Sequence, residues 1–261
     1  SISFDNTKQV SYGYEFHATS LDITPLYDFE VERYLRCLKN SSAGADNIPS
    51  WLFRHCSVEL ASIVTKLFNQ SMSTGNVPTQ WLSAVVTPVP KVDKPTALNH
   101  YRPISVTPIL SRVAERVIVK KYLYPSLLPE TTADQYAFKP SGSTTCALVH
   151  ILHRVSMYLE QCDFVRCLVI DFSRAFDVLD RSIILQKLQN FDMPCSIKSW
   201  IANFLSNRYQ TTRCNDCVSS SMPINLGVVQ GSVLGPSLFT IMVSDLKPLS
   251  NMNDLVTYAD D

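Results

Sequence analysis

The amino-acid sequence predicts an α+β fold rather than a doubly wound sheet, and three observations carry that prediction. Apolar residues recur at helical spacing in several separate windows, most clearly over 57–73, 109–124 and 143–160. Two short β-branched runs, Ala84–Lys91 and Val165–Ile170, end at a proline and at an aspartate. A hairpin is expected around 208–222, turning at Asn215-Asp216.

In chain order, residues 1–27 show no clear period and read as a linker or irregular segment, leaving 28–261 as one unit. Phe29, Val31, Tyr34, Leu35 and Leu38 predict a helix over 28–40 that stops at Ser41-Ser42-Ala43-Gly44. Leu60, Ile63, Val64, Leu67 and Phe68 form a second helical stripe. The strand from Ala84 is closed by Pro88 and Pro90. A basic helix is expected over 109–124 and another over 143–160, the latter capped by Ser143 or Thr144. The strand 165–170 runs into Asp171, and helices at 181–190 and 196–206 follow, the second carrying Trp200, Phe204 and Leu205. Gly235-Pro236 opens a helix to about Leu246, and a strand over 254–258 leads into Asp260-Asp261.

With 46% hydrophobic and 18% charged residues among 261, the chain can bury a sizeable core. No apolar run approaches the ~20 residues of a membrane span. Net charge is zero but unevenly spread. Residues 1–32 hold one lysine against six acids, 33–160 hold 14 basic against seven acidic, and 161–261 hold eight against ten. A basic middle beside an acid-bearing end suits a surface that grips phosphates next to a metal site; an ordinary mixed surface is the bland alternative. Eight cysteines without a signal peptide read as reduced thiols, hence a cytosolic or nuclear protein that is not secreted. Cys214-x-x-Cys217 has no second pair at zinc spacing and reads as the two ends of a hairpin. His150 and His153 share a helix face and read as structural.

The chemistry lies in the carboxylates. An aspartate closing one buried strand and an aspartate pair in a turn after another can converge on two divalent metals, as phosphoryl transfer requires. Taken singly, a strand-terminal Asp171 is more often a turn or cap residue, and Tyr258-Ala259-Asp260-Asp261 is short enough to arise by chance. Their joint order and spacing raise the odds. Asp177 and Asp180 read as cap or scaffold residues of the helix from 181.

The segments Leu168–Asp177, Gly227–Ser232 and Tyr258–Asp261 resemble motifs A, B and C of reverse transcriptases, most closely those of LINE-type (non-LTR) retrotransposons, with a jockey-like element one assignment. Upstream, Lys39–Pro49 looks like the family's K-S-x-G-P-D-G-I-P entry, and Trp81–Lys91 like its segment ending P-I-P-K. Asn99–Ser105 looks like x-Y-R-P-I-S, and Gln135–Thr144 like Q-x-G-F-R-P-G-R-S-T. The likeness spans about 30–261. It implies right-hand polymerase fingers and palm, with the thumb and the segment following the Asp pair absent. It implies Asp171, Asp260 and Asp261 as catalytic metal ligands for two Mg²⁺ (or Mn²⁺), with the Phe172 carbonyl completing a sphere. Phe176 would sit under the incoming sugar, where its ring collides with a ribose 2′-hydroxyl. Gln230 and Gly231 would lie at the nucleotide, and Arg102, with Lys91 and Lys139 as weaker candidates, would grip the triphosphate. Partners implied are an RNA template, a DNA primer, dNTPs and an upstream endonuclease domain of a parent polyprotein, with no membrane.

The chain departs from the family pattern at Lys139 and Gly142, where two arginines are usual, at Val229 in place of proline, at Gly44-Ala45-Asp46-Asn47, and at Arg181 in place of histidine. These suit a diverged copy. An inactive fragment that at most binds nucleic acid is therefore the alternative function, and an RNA-dependent RNA polymerase is disfavoured by Phe176. Without a partner strand after Asp261, residues 250–261 are expected to be poorly ordered.

Overall fold

Helix α1 (Asp28–Arg36) places Val31 and Leu35 one turn apart on a buried face, and Glu30 turns back to accept the Tyr27 amide at 3.0 Å. The computed structural model describes Phe16 and residues 21–127, 133–139, 141–172, 174–250 and 253–260. Helix α1 stops four residues short of the expected end, and Leu38 is buried from the following coil. A short helix that the periodicity did not predict, α2 (Ser50–His55), starts after Pro49. It leads into α3 (Ser57–Thr74), which ends on Gly75 at φ +68°.

Strand β1 (Ser83–Pro90) pairs antiparallel with β2 (Tyr101–Val106), in a register running from Val85 opposite Val106 to Pro90 opposite Tyr101. Helix α4 (Ile109–Ile118) continues through a π-helical turn at Val119–Leu123 into α5 (Tyr124–Ser126), so the predicted 109–124 helix is one run with a bulge. Ser143 caps α6 (Thr144–Leu159) by accepting the Cys146 amide at 3.1 Å. Asp180 caps α7 (Arg181–Leu188) by accepting the Ser182 amide at 2.8 Å. After α8 (Cys195–Leu205) come β3 (Arg208–Cys214), β4 (Cys217–Val218) and β5 (Met222–Ile224). The β3–β4 turn falls on Asn215-Asp216, with Cys214 opposite Cys217, as the sequence suggested. Helix α9 (Leu234–Met242) closes the series, and 3₁₀-type bonds carry its turns on as far as Leu246.

The sheet is mixed. Its order is β2-β1-β3-β4, with β5 also on β3, and β1–β3 is the parallel pair. The core lies where α3, α4, α7, α8 and α9 meet, around the fully buried Phe68, Trp200, Phe204 and Leu205. Each such side chain contributes about 1.5–3 kcal/mol of burial. Trp200 keeps its indole N–H satisfied by donating to the Ser71 hydroxyl at 2.8 Å. All eight cysteines are free thiols.

Two expected strands do not form. Residues 165–170 are irregular, and Leu168, Val169 and Ile170 are 85%, 88% and 57% exposed. A run apolar on both faces is stable only as a central strand with neighbours on either side. Among the described residues 165–170 have a ladder partner on neither side. The 254–258 segment makes one parallel bridge, Thr257 with Gln135, in place of a ladder. The acids are therefore not carried on hairpins.

Candidate active site

The Asp171 segment is built from turns. Arg174, at φ +55°, accepts the amides of Asp177 and Val178 through its carbonyl, and this folds Phe176 inward. The Phe176 ring is half-buried, edge-on to Phe138 at 6.1 Å and tilted against Phe239 of α9 at 5.1 Å. The backbone of this segment is then read by the loop that carries Gln230. Gly227 N–H donates to Leu179 O at 3.0 Å and Val228 N–H to Phe176 O at 2.9 Å. Gly227 sits at φ +70°, and a Cβ there would lie 2.5 Å from the Asp177 carbonyl oxygen, so only glycine permits this approach.

Gln230 Nε2 donates to Asp177 Oδ1 at 3.0 Å, and Gln230 O accepts the Ser105 amide at 3.0 Å. Asp177 thus supports Gln230, and burial raises its carboxyl pKa against the lowering effect of that bond. Gly231, at φ +98°, passes so close to the Ser105 carbonyl that a Cβ would stand 2.8 Å away. Strand β2, which carries Arg102, is in this way docked on Gln230-Gly231. Arg102 itself is exposed opposite Val89, and Lys91 is exposed with its amide bonded to His100 O at 2.8 Å. Lys139 lies with its ammonium 5.0 Å over the Tyr136 ring, and burial lowers its pKa.

The two acid segments meet. Phe172 N–H donates to Asp260 O at 3.2 Å, which sets Asp171 and Asp260 on adjoining strands of backbone. Asp171 is exposed and Asp260 half-exposed, and among the described residues no side chain bonds or ion-pairs with either carboxylate. Asp261 lies outside the described residues, and no cluster of three metal-ligating side chains occurs among those that are described. Two accessible carboxylates on hard oxygen donors suit a divalent cation such as Mg²⁺.

A family model described as "Reverse transcriptase (RNA-dependent DNA polymerase)" matches residues 89–261, the stretch holding both acid segments and the Gln230 loop. The chain belongs to the reverse transcriptase family. This reverse transcriptase chain is 27% identical over 252 residues to the RNA-directed DNA polymerase from mobile element jockey of Drosophila melanogaster, covering 93% of the chain and 27% of that relative. It is 27% identical over 282 residues to a probable RNA-directed DNA polymerase from transposon BS of the same species, covering 100% of the chain and 30% of that relative. It is 22% identical to the Pol polyprotein of type-1 retrotransposable element R2 from Popillia japonica, covering 85% of the chain and 30% of that relative. The chain thus spans less than a third of the length of these retrotransposon relatives.

Sequence reasoning missed the polar residues that shape the candidate site from behind. Arg181, 2% exposed, donates to the carbonyls of Gly227, Leu205, Ile224 and Leu226 at 2.8, 2.6, 2.8 and 3.1 Å. Glu115, fully buried, accepts the amides of Val233 and Leu234 at 2.7 and 3.2 Å, holding the start of α9. A buried arginine and a buried glutamate therefore bracket the loop that carries Gln230. A signal for Glu115 was present, because it is a charge on the apolar stripe of Val113, Ala114, Val117 and Ile118. Arg181 was visible as a departure from the family pattern, with no hint of what it would hold.

Proposed function

We propose that this chain supplies the fingers and palm of a retrotransposon RNA-directed DNA polymerase, which extends a DNA primer on an RNA template with dNTPs. The observation that carries the reading is the Phe172–Asp260 bond, which brings together two acid segments remote in sequence. Asp171, Asp260 and Asp261 hold the metals, and the Phe172 carbonyl adds an oxygen. When bound, two Mg²⁺ (or Mn²⁺) lower the pKa of the primer 3′-hydroxyl and neutralise charge on the triphosphate and the departing pyrophosphate. Phe176, braced by Phe138 and Phe239, excludes a ribose 2′-hydroxyl. Gln230, oriented by Asp177, and Gly231 border the sugar, while Arg102, Lys91 and Lys139 bind phosphate oxygens. A longer parent polyprotein accords with the Pol polyprotein relative, and the reading adds an endonuclease upstream in it and action in the cytoplasm or nucleus. Among the described residues no helix is long and apolar enough to cross a membrane.

A second reading, a fragment inactive in isolation that at most binds nucleic acid through its basic middle, has one observation in its favour. The run leading into Asp171 makes no ladder among the described residues and exposes Leu168, Val169 and Ile170, so Asp171 is braced from the residues after it and not from those before it. Primer extension on an RNA template separates the two, using the longest natural polypeptide that contains this chain, with Mg²⁺ and either dNTPs or rNTPs. Incorporation of dNTPs that Asp260→Ala abolishes supports the polymerase. No incorporation by a folded protein supports the inactive copy.

A further inference from the structure

Gln135 is 4% exposed and is not among the residues assigned above to metal or nucleotide. Its side-chain oxygen accepts the amides of Ala259 at 3.0 Å and Ala137 at 2.9 Å, and its Nε2 donates to the Ala259 carbonyl at 3.3 Å. One carboxamide therefore grips both the N–H and the C=O of the residue before Asp260. Ala259 adopts φ +58°, a conformation that a side chain with a Cβ disfavours, so something must hold it there. The backbone on either side is paired as well: Thr257 N–H donates to Asp134 O at 2.8 Å, and Tyr136 N–H to Thr257 O at 2.9 Å.

We propose that Gln135 is a positioning residue that fixes the Tyr258–Asp260 turn, and with it the direction of the Asp260 carboxylate, by clamping both peptide groups of Ala259. The inference rests on the reading of Asp260 as a metal ligand. An amide side chain of this length fits the task, because it both accepts and donates. A carboxylate can accept but not donate, and an apolar chain of the same length does neither. The segment that carries the clamp continues directly into Phe138, which packs on Phe176. The turn holding one metal-binding acid and the ring under the nucleotide sugar are thus fastened to the same few residues.

The test uses this chain with Mn²⁺ as the probe, free Mn²⁺ being read by electron paramagnetic resonance and the Ala259 amide by hydrogen exchange in NMR. Wild type is expected to protect Ala259. Gln135→Met should speed that exchange and weaken Mn²⁺ binding, each by about tenfold, the consequence of a lost buried hydrogen bond, while the denaturant midpoint shows the variant still folded. Gln135→Glu, which keeps the acceptor and loses the donor, should leave Ala259 N–H protected. A folded Gln135→Met with wild-type exchange and Mn²⁺ affinity overturns the proposal. If that variant does not fold, an Ala259 amide in wild type exchanging like an exposed peptide overturns it. Asp260→Ala serves as the control. Unchanged Mn²⁺ affinity in that variant overturns the metal-site reading, and the clamp is then decided by the Ala259 exchange.

Discussion

The Phe172 amide donates to the Asp260 carbonyl over 3.2 Å, joining two acid segments that share no strand ladder among the described residues. If this contact marks the catalytic centre, the acids beside it are indispensable. Asp171→Ala or Asp260→Ala, in a longer natural polypeptide, should lower dNTP incorporation by at least about 10³-fold, because charge neutralisation at the transferring phosphoryl group dominates this chemistry. Single-nucleotide primer extension measures it. Incorporation within a few-fold of wild type would remove both residues from the reaction.

Phe176 touches Phe138 and Phe239, so its replacement has two separable effects. Phe176→Val should cost about 1–2 kcal/mol of stability through lost aromatic packing. It should also raise the kcat/KM ratio of ribo- to deoxynucleotides by about 10–100-fold. The ratio does not depend on the folded fraction, so an unchanged ratio in a destabilised variant would make Phe176 a core residue only.

Glu115 contributes to how stability changes with pH. Burial raises its folded pKa above the ordinary 4.5, against the lowering pull of the Leu234 and Val233 amides, Arg208 and Ser111. The folded state therefore binds this proton more tightly than the unfolded state does. The resulting stabilisation is full below pH 4.5 and is lost as pH rises through the folded value. Glu115→Gln should flatten that fall, with near-wild-type stability at pH 7, since an amide can still accept the α9 amides. Glu115→Ala should cost about 2–4 kcal/mol by leaving buried donors unmet. Denaturant unfolding at pH 5 and 7.5 tests both variants.

The expectation of a poorly ordered 250–261 segment meets a specific set of contacts. Arg154 on α6 makes a two-pronged pair with Asp254 at 2.5 and 3.0 Å, and Tyr158 adds a hydrogen bond to the same carboxylate at 2.7 Å. The Thr257 amide is bonded to Asp134 O at 2.8 Å. Amide exchange should therefore be slow at Thr257 and Ala259 and fast at Leu168–Ile170. Asp254→Ala should speed exchange at Thr257 several-fold, loosening one of the two supports. Equal rates at Thr257 and Val169 would show that these contacts do not persist in solution.

Much was legible in the sequence wherever the determinant is local. The span of α3, the Ser143 and Asp180 caps, the β-branched run of β1 and the Asn215-Asp216 turn depend on residues within a few positions of one another and appear where the pattern puts them, although Ile63 of the expected α3 stripe is 67% exposed and the buried face runs through Ala61, Val64, Phe68 and Met72. The acid segments and the Gln230 loop were equally plain as short patterns, and the family match covers them. Helix ends were less so. The pattern carries α1 to Leu38, but Leu38 is buried as well from a coil, so burial alone did not mark the end of the helix.

The tertiary structure decided what depends on distant partners. Leu168–Ile170 has the composition of a central strand, yet a run apolar on both faces needs a neighbour on each side, and among the described residues it has a ladder partner on neither. The same holds for the buried polar groups. Which carbonyls Arg181 would collect, and that Gln135 would close on Ala259, follow from where chain crossings leave donors and acceptors without water. The sequence determined most of the helices, the caps and where the candidate acids stand, because each is written in neighbouring residues. Only the fold determined how those acids are held, because that depends on groups brought together from across the chain.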